Sequence, residues 1–231
     1  MQSKSYFIWK NINSLDKDII ITKKPTIPKF EKRMESITIP GRNGTLYYND
    51  DVYESTTMTI ECTLLDWNKL LEIKKWLDGE DKLILSTQKD YFYNAVVRNK
   101  IDFTTIADKI YTFPITFDVQ PIAHSIAEKE ITINKATNLQ ITKSTYVIKP
   151  YIKVNGSGPI TLTINNKNVI LKDIEGYIEL DCELEEAVKG EINCNDKVEC
   201  EDFPILIPGT NNISWIGNVS SIQFKYREAF L

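Results

Sequence analysis

The stretch "IYTFPITFDV" (110–119) decides the fold class. Tyr111, Phe113, Ile115, Phe117 and Val119 share one face at period two, while Thr112, Thr116 and Asp118 share the other. Alternation of this kind reads as a strand with one buried side. Pro114 has no N–H to give to a ladder, so the strand is expected at a sheet edge or at a bulge. The same period recurs in "TTMTIECTL" through Met58, Ile60, Cys62 and Leu64, in "ITLTI" through Ile160, Leu162 and Ile164, and in "SIQFKY" through Ile222, Phe224 and Tyr226. The chain is therefore mainly β.

One helix interrupts the pattern. "DWNKLLEIKKWLDG" (66–79) opens on Asp66, whose carboxylate can accept from orphan backbone N–H groups, and closes on Gly79, which tolerates a left-handed conformation. The spacing predicts a helix over 66–78. At 100° per residue Trp67, Leu70, Leu71 and Leu77 fall in one arc with Ile73 beside it, a stripe expected to cover a sheet. Trp76 falls on the opposite side. It is expected either to pack against a loop of its own domain or to touch another subunit.

Composition narrows the function classes. The chain has 231 residues, 42% of them apolar, enough for one large or two small cores. With 28 basic and 32 acidic residues, the net charge of -4 argues against a general nucleic-acid coat, which needs many cations on phosphate. The opening "MQSKSYFIWKN" has too short an apolar run for a signal core, and no window approaches the ~20 apolar residues of a membrane span. Folding in a reducing cytoplasm is expected. Cys62 is in phase with the core of its strand; Cys182, Cys194 and Cys200 lack metal-site spacing, and one His cannot complete a zinc site. No metal, cofactor or disulfide framework is expected. The acidic stretch "EGYIELDCELEEAVKGEINCNDKVECED" (175–202) sets 11 acidic groups against two lysines without a calcium-loop pattern, and reads as a solvated face.

Catalytic constellations are missing from the sequence. His124 lies in "PIAHSIAEK", read as a Pro-bounded connection and a surface group rather than a general base. There is no nucleophile elbow, P-loop or dinucleotide fingerprint; "NGSGP" has the wrong spacing. A non-enzymatic protein is expected.

Organisation changes near "NKATNLQITKS" (134–144). Beyond it come short strands and turns at the spacing of a β-sandwich, so domains of 1–140 and 141–231 are expected. "YIKVNGSGPITLTINNKNVIL" (151–171) reads as an antiparallel meander, with one turn at Asn155-Gly156-Ser157-Gly158 and another at Asn165-Asn166-Lys167-Asn168. Pro208-Gly209-Thr210-Asn211-Asn212 in "FPILIPGTNNISWIG" (203–217) reads as an inter-strand turn, and Trp215 as a buried anchor. In the first part Gly41-Arg42-Asn43-Gly44 separates 36–39 from 45–48, and Asn43-Gly44 is a tight-turn signal because both can take positive φ.

Taken in order, "SITIPGRNGTLYY" (36–48), "PYIKVNGSGPITLTINNKNVIL" (150–171) and "FPILIPGTNNISWIG" (203–217) resemble the distal tail protein (Dit) family of long-tailed siphophages. The resemblance implies an N-terminal β-sandwich with one α-helix, forming a six-fold ring. It also implies a C-terminal β-sandwich, galectin-like or carbohydrate-module-like, outside that ring. The implied role is a virion hub joining the tail tube to the tip or baseplate and passing DNA, assembled in the host cytoplasm. Implied partners are five further copies, the tail tube protein, a tip or tail-associated protein and the tape-measure protein, without specific nucleic-acid or membrane binding.

A ring needs an interface that closes on itself. The segment "GRNGTLYYNDDVYEST" (41–56) holds three Tyr, one Arg and little core pattern, and Tyr and Arg enrich interfaces, so it is the expected subunit contact. Its contact residues are Gly41, Arg42, Asn43, Gly44, Tyr47, Tyr48 and Tyr53, with Trp76 as a second contact. The alternatives are a carbohydrate-binding module for host recognition and another ring subunit of a tube or injection machine. Residues 141–231 hold one Trp, one Arg and no His, short of the His–Asn–Arg–Trp set of galectin-type sugar sites, which argues against a sugar partner.

Overall fold

A computed structural model of the chain describes residues 5–98, 100–107 and 109–231. The protein is mainly β with one short α-helix. It divides into two compact units, Met1–Ala123 with Leu231, and His124–Phe230. The division falls inside a strand, ahead of the composition shift at 134–144.

The first unit contains β1 (Phe7–Trp9), β2 (Ile12–Asn13), β3 (Ile19–Lys23), β4 (Lys32–Ile37), β5 (Leu46–Tyr53), β6 (Thr56–Leu64), α1 (Leu70–Trp76), β7 (Glu80–Leu85), β8 (Tyr91–Val97), β9 (Thr104–Ala107) and the beginning of β10 (Ile110–Ile133). Apart from β4 and β5, these strands form one sheet through β3–β6–β10–β8–β7–β1–β2, with β9 also on β10. β6 and β10 pair antiparallel from Tyr111↔Leu64 to Val119↔Thr56 without a register shift, so no bulge marks Pro114 on that side. The alternation read from sequence holds: Phe113, Ile115, Phe117 and Val119 are buried opposite Cys62, Ile60, Met58 and Thr56. Each fully buried Phe or Ile contributes about 1.5–3 kcal/mol by leaving water.

The helix differs from its expected form. Asp66 caps as predicted, its Oδ1 accepting from the Asn68 N–H at 3.0 Å, and Gly79 ends the segment at φ +79°. Residues Trp67–Lys69, however, form a 3-10 turn, and the α-helix runs only over Leu70–Trp76. On α1 itself, at about 100° per residue, Ile73, Trp76 and Leu77 fall in one arc and Leu71 lies on the far side of it. Ile73, Trp76 and Leu77 face the core; Trp67 and Leu71 face outward. The expected Trp67–Leu71 stripe is thus corrected.

The second unit holds the rest of β10, then β11 (Thr137–Ile141), β12 (Tyr151–Ile164), β13 (Lys167–Asp181), β14 (Glu186–Lys189), β15 (Ile192–Asn193), β16 (Val198–Glu199) and β17 (Gly209–Phe230). The order β15–β14–β13–β12–β17–β10 places the last strand centrally, with β11 also on β17 and β16 on β13. Asn165 and Asn166 form the two-residue β12–β13 turn with φ of 50° and 66°, as their residue types predict.

Further sequence readings are corrected here. Asn155-Gly156-Ser157-Gly158 does not reverse the chain; it lies inside β12 at register shifts against both β13 and β17. Gly156 is needed for approach: a Cβ there would lie 2.4 Å from the Asn218 carbonyl oxygen. Gly209 to Asn212 likewise belong to β17, paired with Ile141 to Asn138 of β11, rather than to a free turn. Trp215 is half-buried on β17 opposite Leu162, and His124 lies within β10 rather than in a connection.

Candidate subunit-contact site

β4 and β5 form a two-stranded sheet of their own. Their register runs from Lys32↔Tyr53, through Glu35↔Tyr48 and Ser36↔Tyr47, to Ile37↔Leu46. The connection spans 38–45, longer than the two-residue turn that Asn43-Gly44 suggested. The Arg42 N–H donates to the Ile39 carbonyl at 3.1 Å, and the left-handed positions are Gly41 (φ +79°) and Gly44 (φ +88°), while Asn43 keeps negative φ. Nothing lies within 4 Å of a Cβ built at either glycine, so conformation rather than space calls for glycine there.

The hairpin is exposed on both faces. One face carries Glu35, Ile37, Leu46 and Tyr48; the other carries Met34, Ser36, Tyr47 and Asn49. Tyr47 is 65% exposed, Tyr48 59% and Met34 60%. Isolated two-stranded hairpins are marginal in water, and apolar side chains this open are the composition of an interface. Charges brace the end away from the loop. Lys32 bonds Asp51 at 2.5 Å, and its hydrogen bond holds that carboxyl below the usual range. Arg33 bonds Glu54 at 2.5 Å, and that bond raises the guanidinium pKa further. All four groups are exposed, so these pairs orient the hairpin more than they stabilise it. Lys32 also lies over the Tyr53 ring, 5.6 Å from its centroid.

Seven of the eight expected contact residues therefore come together on one hairpin: Gly41, Arg42, Asn43, Gly44, Tyr47, Tyr48 and Tyr53. Trp76 does not join them. It is 7% exposed, stacks on Phe7 at 5.7 Å and is hydrogen-bonded to Trp9, inside its own unit. Its burial follows from its place on the same helical arc as Ile73 and Leu77. Sequence reading placed the first arm at 36–39 and missed that β4 starts at Lys32, since Met34 and Ile37 lie on opposite faces among charges and show no one-sided alternation. It also missed the outward patch of Leu65, Trp67 and Leu71.

Elsewhere the chemistry is quiet. Among the described residues, no group of three or more His, Cys, Asp or Glu is placed to hold a metal. Cys62, Cys182 and Cys194 are buried free thiols and Cys200 is a half-buried one; burial pushes the Cys62 and Cys182 thiols well up, away from reactivity. Acidic groups of 175–202 meet lysines: Glu179 with Lys153, Glu199 with Lys172, and Asp202 with Lys167. No described helix is long and apolar enough to cross a membrane.

No protein-family model and no curated protein matches the sequence. Its fold, a mainly β chain with one helix, does match a solved structure. A similar structure is the crystal structure of SPP1 Dit (gp 19.1), described as a paradigm of the hub adsorption apparatus in phages infecting Gram-positive bacteria. The TM-score is 0.78, covering 99% of this chain and 100% of that one, at 12% identity. The distal-tail-protein resemblance read from the sequence is met in the fold.

Proposed function

We propose that this chain is a structural subunit of a phage distal tail hub. Six copies close a ring between the tail tube and the tip or baseplate, leaving an opening through which DNA passes. The observation that carries this reading is the fold shared with a hub protein over the whole length of both chains. The β4–β5 hairpin supports it, because a ring subunit needs a surface whose complement lies on the next copy.

In this role the protein does no chemistry. The N-terminal part makes the ring contact through the hairpin. The tail tube protein, a tip or tail-associated protein and the tape-measure protein are its neighbours in the virion tail, after assembly in the host cytoplasm. DNA passes without specific contacts, consistent with the net charge of -4. A galectin-like C-terminal part needs no sugar here: Trp215 is half-buried, a poor platform for stacking.

Native mass spectrometry tests the proposal. The expected species has the mass of six chains and appears as a ring by negative-stain microscopy. A chain that stays monomeric at tens of micromolar overturns it.

A further inference from the structure

The hairpin has a complement on the same chain. Leu65, Trp67 and Leu71 form an outward apolar patch at the start of the helix, and Leu71 is 79% exposed. The hairpin face of Ile37, Leu46 and Tyr48 is likewise open. Because both surfaces are exposed in one chain, a chain's own hairpin does not cover its own patch.

Charge gives the pair a direction. On the hairpin, Glu35 shares the face of Ile37 and Tyr48, and Arg42 lies in the loop. On the helical segment, Asp66 precedes Trp67, and Lys75 lies one helical turn beyond Leu71. Among the described residues, none of the side chains of Glu35, Arg42, Asp66 and Lys75 enters an ion pair. Each surface thus carries charge of both signs outside these ion pairs, towards opposite ends of its apolar trio; Asp66 also caps Asn68 through Oδ1, and Lys74 beside Lys75 lies over the Phe103 ring. Asp66 and Lys75 are separated by about 13 Å at helical rise. The seven-residue step from Glu35 to Arg42 reaches at most about 23 Å, so both pairs can form together.

We infer that the Glu35–Ile37–Leu46–Tyr48 face of one subunit docks on the Leu65–Trp67–Leu71 patch of the next copy, with Glu35 against Lys75 and Arg42 against Asp66. This rests on the ring reading and names the surface that receives the hairpin. The contact is head-to-tail: each copy gives a hairpin and receives one, as ring closure requires. Mispaired charges would oppose the reversed docking.

Charge reversal and cross-linking test it. Lys75→Glu should weaken assembly about tenfold, and adding Glu35→Lys should restore it to within about threefold of the parent, by sedimentation at several concentrations. Tyr48→Cys with Leu71→Cys should form inter-subunit disulfides under mild oxidation, giving a ladder of covalent oligomers; each single variant should stop at dimer. Circular dichroism confirms that these surface variants fold. If Lys75→Glu and Leu71→Asp assemble like the parent while hairpin variants do not, the docking is wrong and the ring stands. If the parent itself never assembles, the ring reading falls and takes this inference with it.

Discussion

Trp9 and Trp76 bond to each other twice: each indole Nε1–H donates to the other's backbone carbonyl, both at 3.2 Å. The reciprocal pair ties β1 to the last residue of α1 and leaves neither buried donor unsatisfied. Phe7 stacks on Trp76, and Phe117 lies 5.1 Å from the Trp9 ring, so the helix is fastened to the sheet by aromatic packing as well. Trp76→Ala should cost about 3–5 kcal/mol through lost burial and a cavity. Trp76→Phe should keep most of the packing and lose about 0.5–1.5 kcal/mol with the hydrogen bond to the Trp9 carbonyl. Leu71→Ala, on the outer face, should stay within about 0.5 kcal/mol. Urea titration ranks the three; Leu71→Ala as costly as Trp76→Ala would contradict the helix orientation.

Gly156 and Gly217 should be intolerant for steric reasons. A Cβ at Gly156 meets the Asn218 oxygen at 2.4 Å; one at Gly217 meets the Pro159 oxygen at 2.6 Å, at φ +117°. The obstructing atoms are backbone and cannot swing away. Either Ala substitution should cost about 2–3 kcal/mol. Gly158→Ala, with φ +75° and open space, should cost only about 1 kcal/mol of conformational strain. Equal melting of all three variants would refute the close approach of β12 and β17.

The hairpin answers to conformation alone. Gly44→Val forces a β-branched residue to φ +88°, though nothing obstructs its side chain. The strain is confined to a sheet separate from the core. The expected outcome is an unchanged melting temperature with assembly weakened by tenfold or more in sedimentation. A large drop in melting temperature would show the hairpin to be part of the core.

Lys129 and Glu228 form a partly buried pair at 2.6 Å. The hydrogen bond to Glu228 raises the Lys129 pKa. A raised lysine pKa adds stability that is complete below its unfolded value of about 10.4 and fades as pH climbs through the folded value. Stability from this pair should therefore persist through neutral pH and fade in strong alkali. Lys129→Met should cost about 1–3 kcal/mol at neutral pH by stranding the buried carboxylate. Denaturation at several pH values checks this; a deficit that does not fade in strong alkali, as Lys129 loses its proton, would count against the pairing.

Asn211 is buried with its amide fully used. Its Oδ1 accepts from the Ile207 N–H at 2.8 Å and from Asn165 Nδ2 at 2.7 Å, and its Nδ2 donates to the Ile207 carbonyl at 2.8 Å. One side chain thus holds the approach to β17 and the β12–β13 turn together. Asn211→Asp should destabilise more than Asn211→Ala, because it buries a charge and loses the donor to Ile207. Thermal melts that reverse this order would mean the amide is not what holds the segment.

Burial governed how much of this was legible. Phe113 to Val119 and Met58 to Leu64 alternate because one face is fully buried, and period two then shows directly. The helix orientation was hidden because the apolar stripe was anchored on Trp67, which lies ahead of the α-helix, and so took in Leu71 and left out Trp76. Asn155 to Gly158 looked like a reversal because glycine marks both turns and close approach; only the neighbouring strand distinguishes them. In the hairpin, the turn glycines and tyrosines were visible, but Met34 and Ile37 were not, since an interface that is open in one chain obeys no core periodicity. The division at 123/124 left no composition mark because β10 runs through it unbroken.

The position of β17 has a consequence for synthesis. This strand lies between β12 and β10, and Arg227 reaches back to the Ser125 carbonyl across 102 residues. The centre of the second unit's sheet is therefore the last part of that sheet to leave the ribosome. Until 209–230 has emerged, the inner edges of β10 and β12 wait without a partner, exposed to other nascent chains. The first unit, whose strands are all complete earlier, can close while translation continues. A translational stall that delays the emergence of 209–230 should thus send the protein into inclusion bodies.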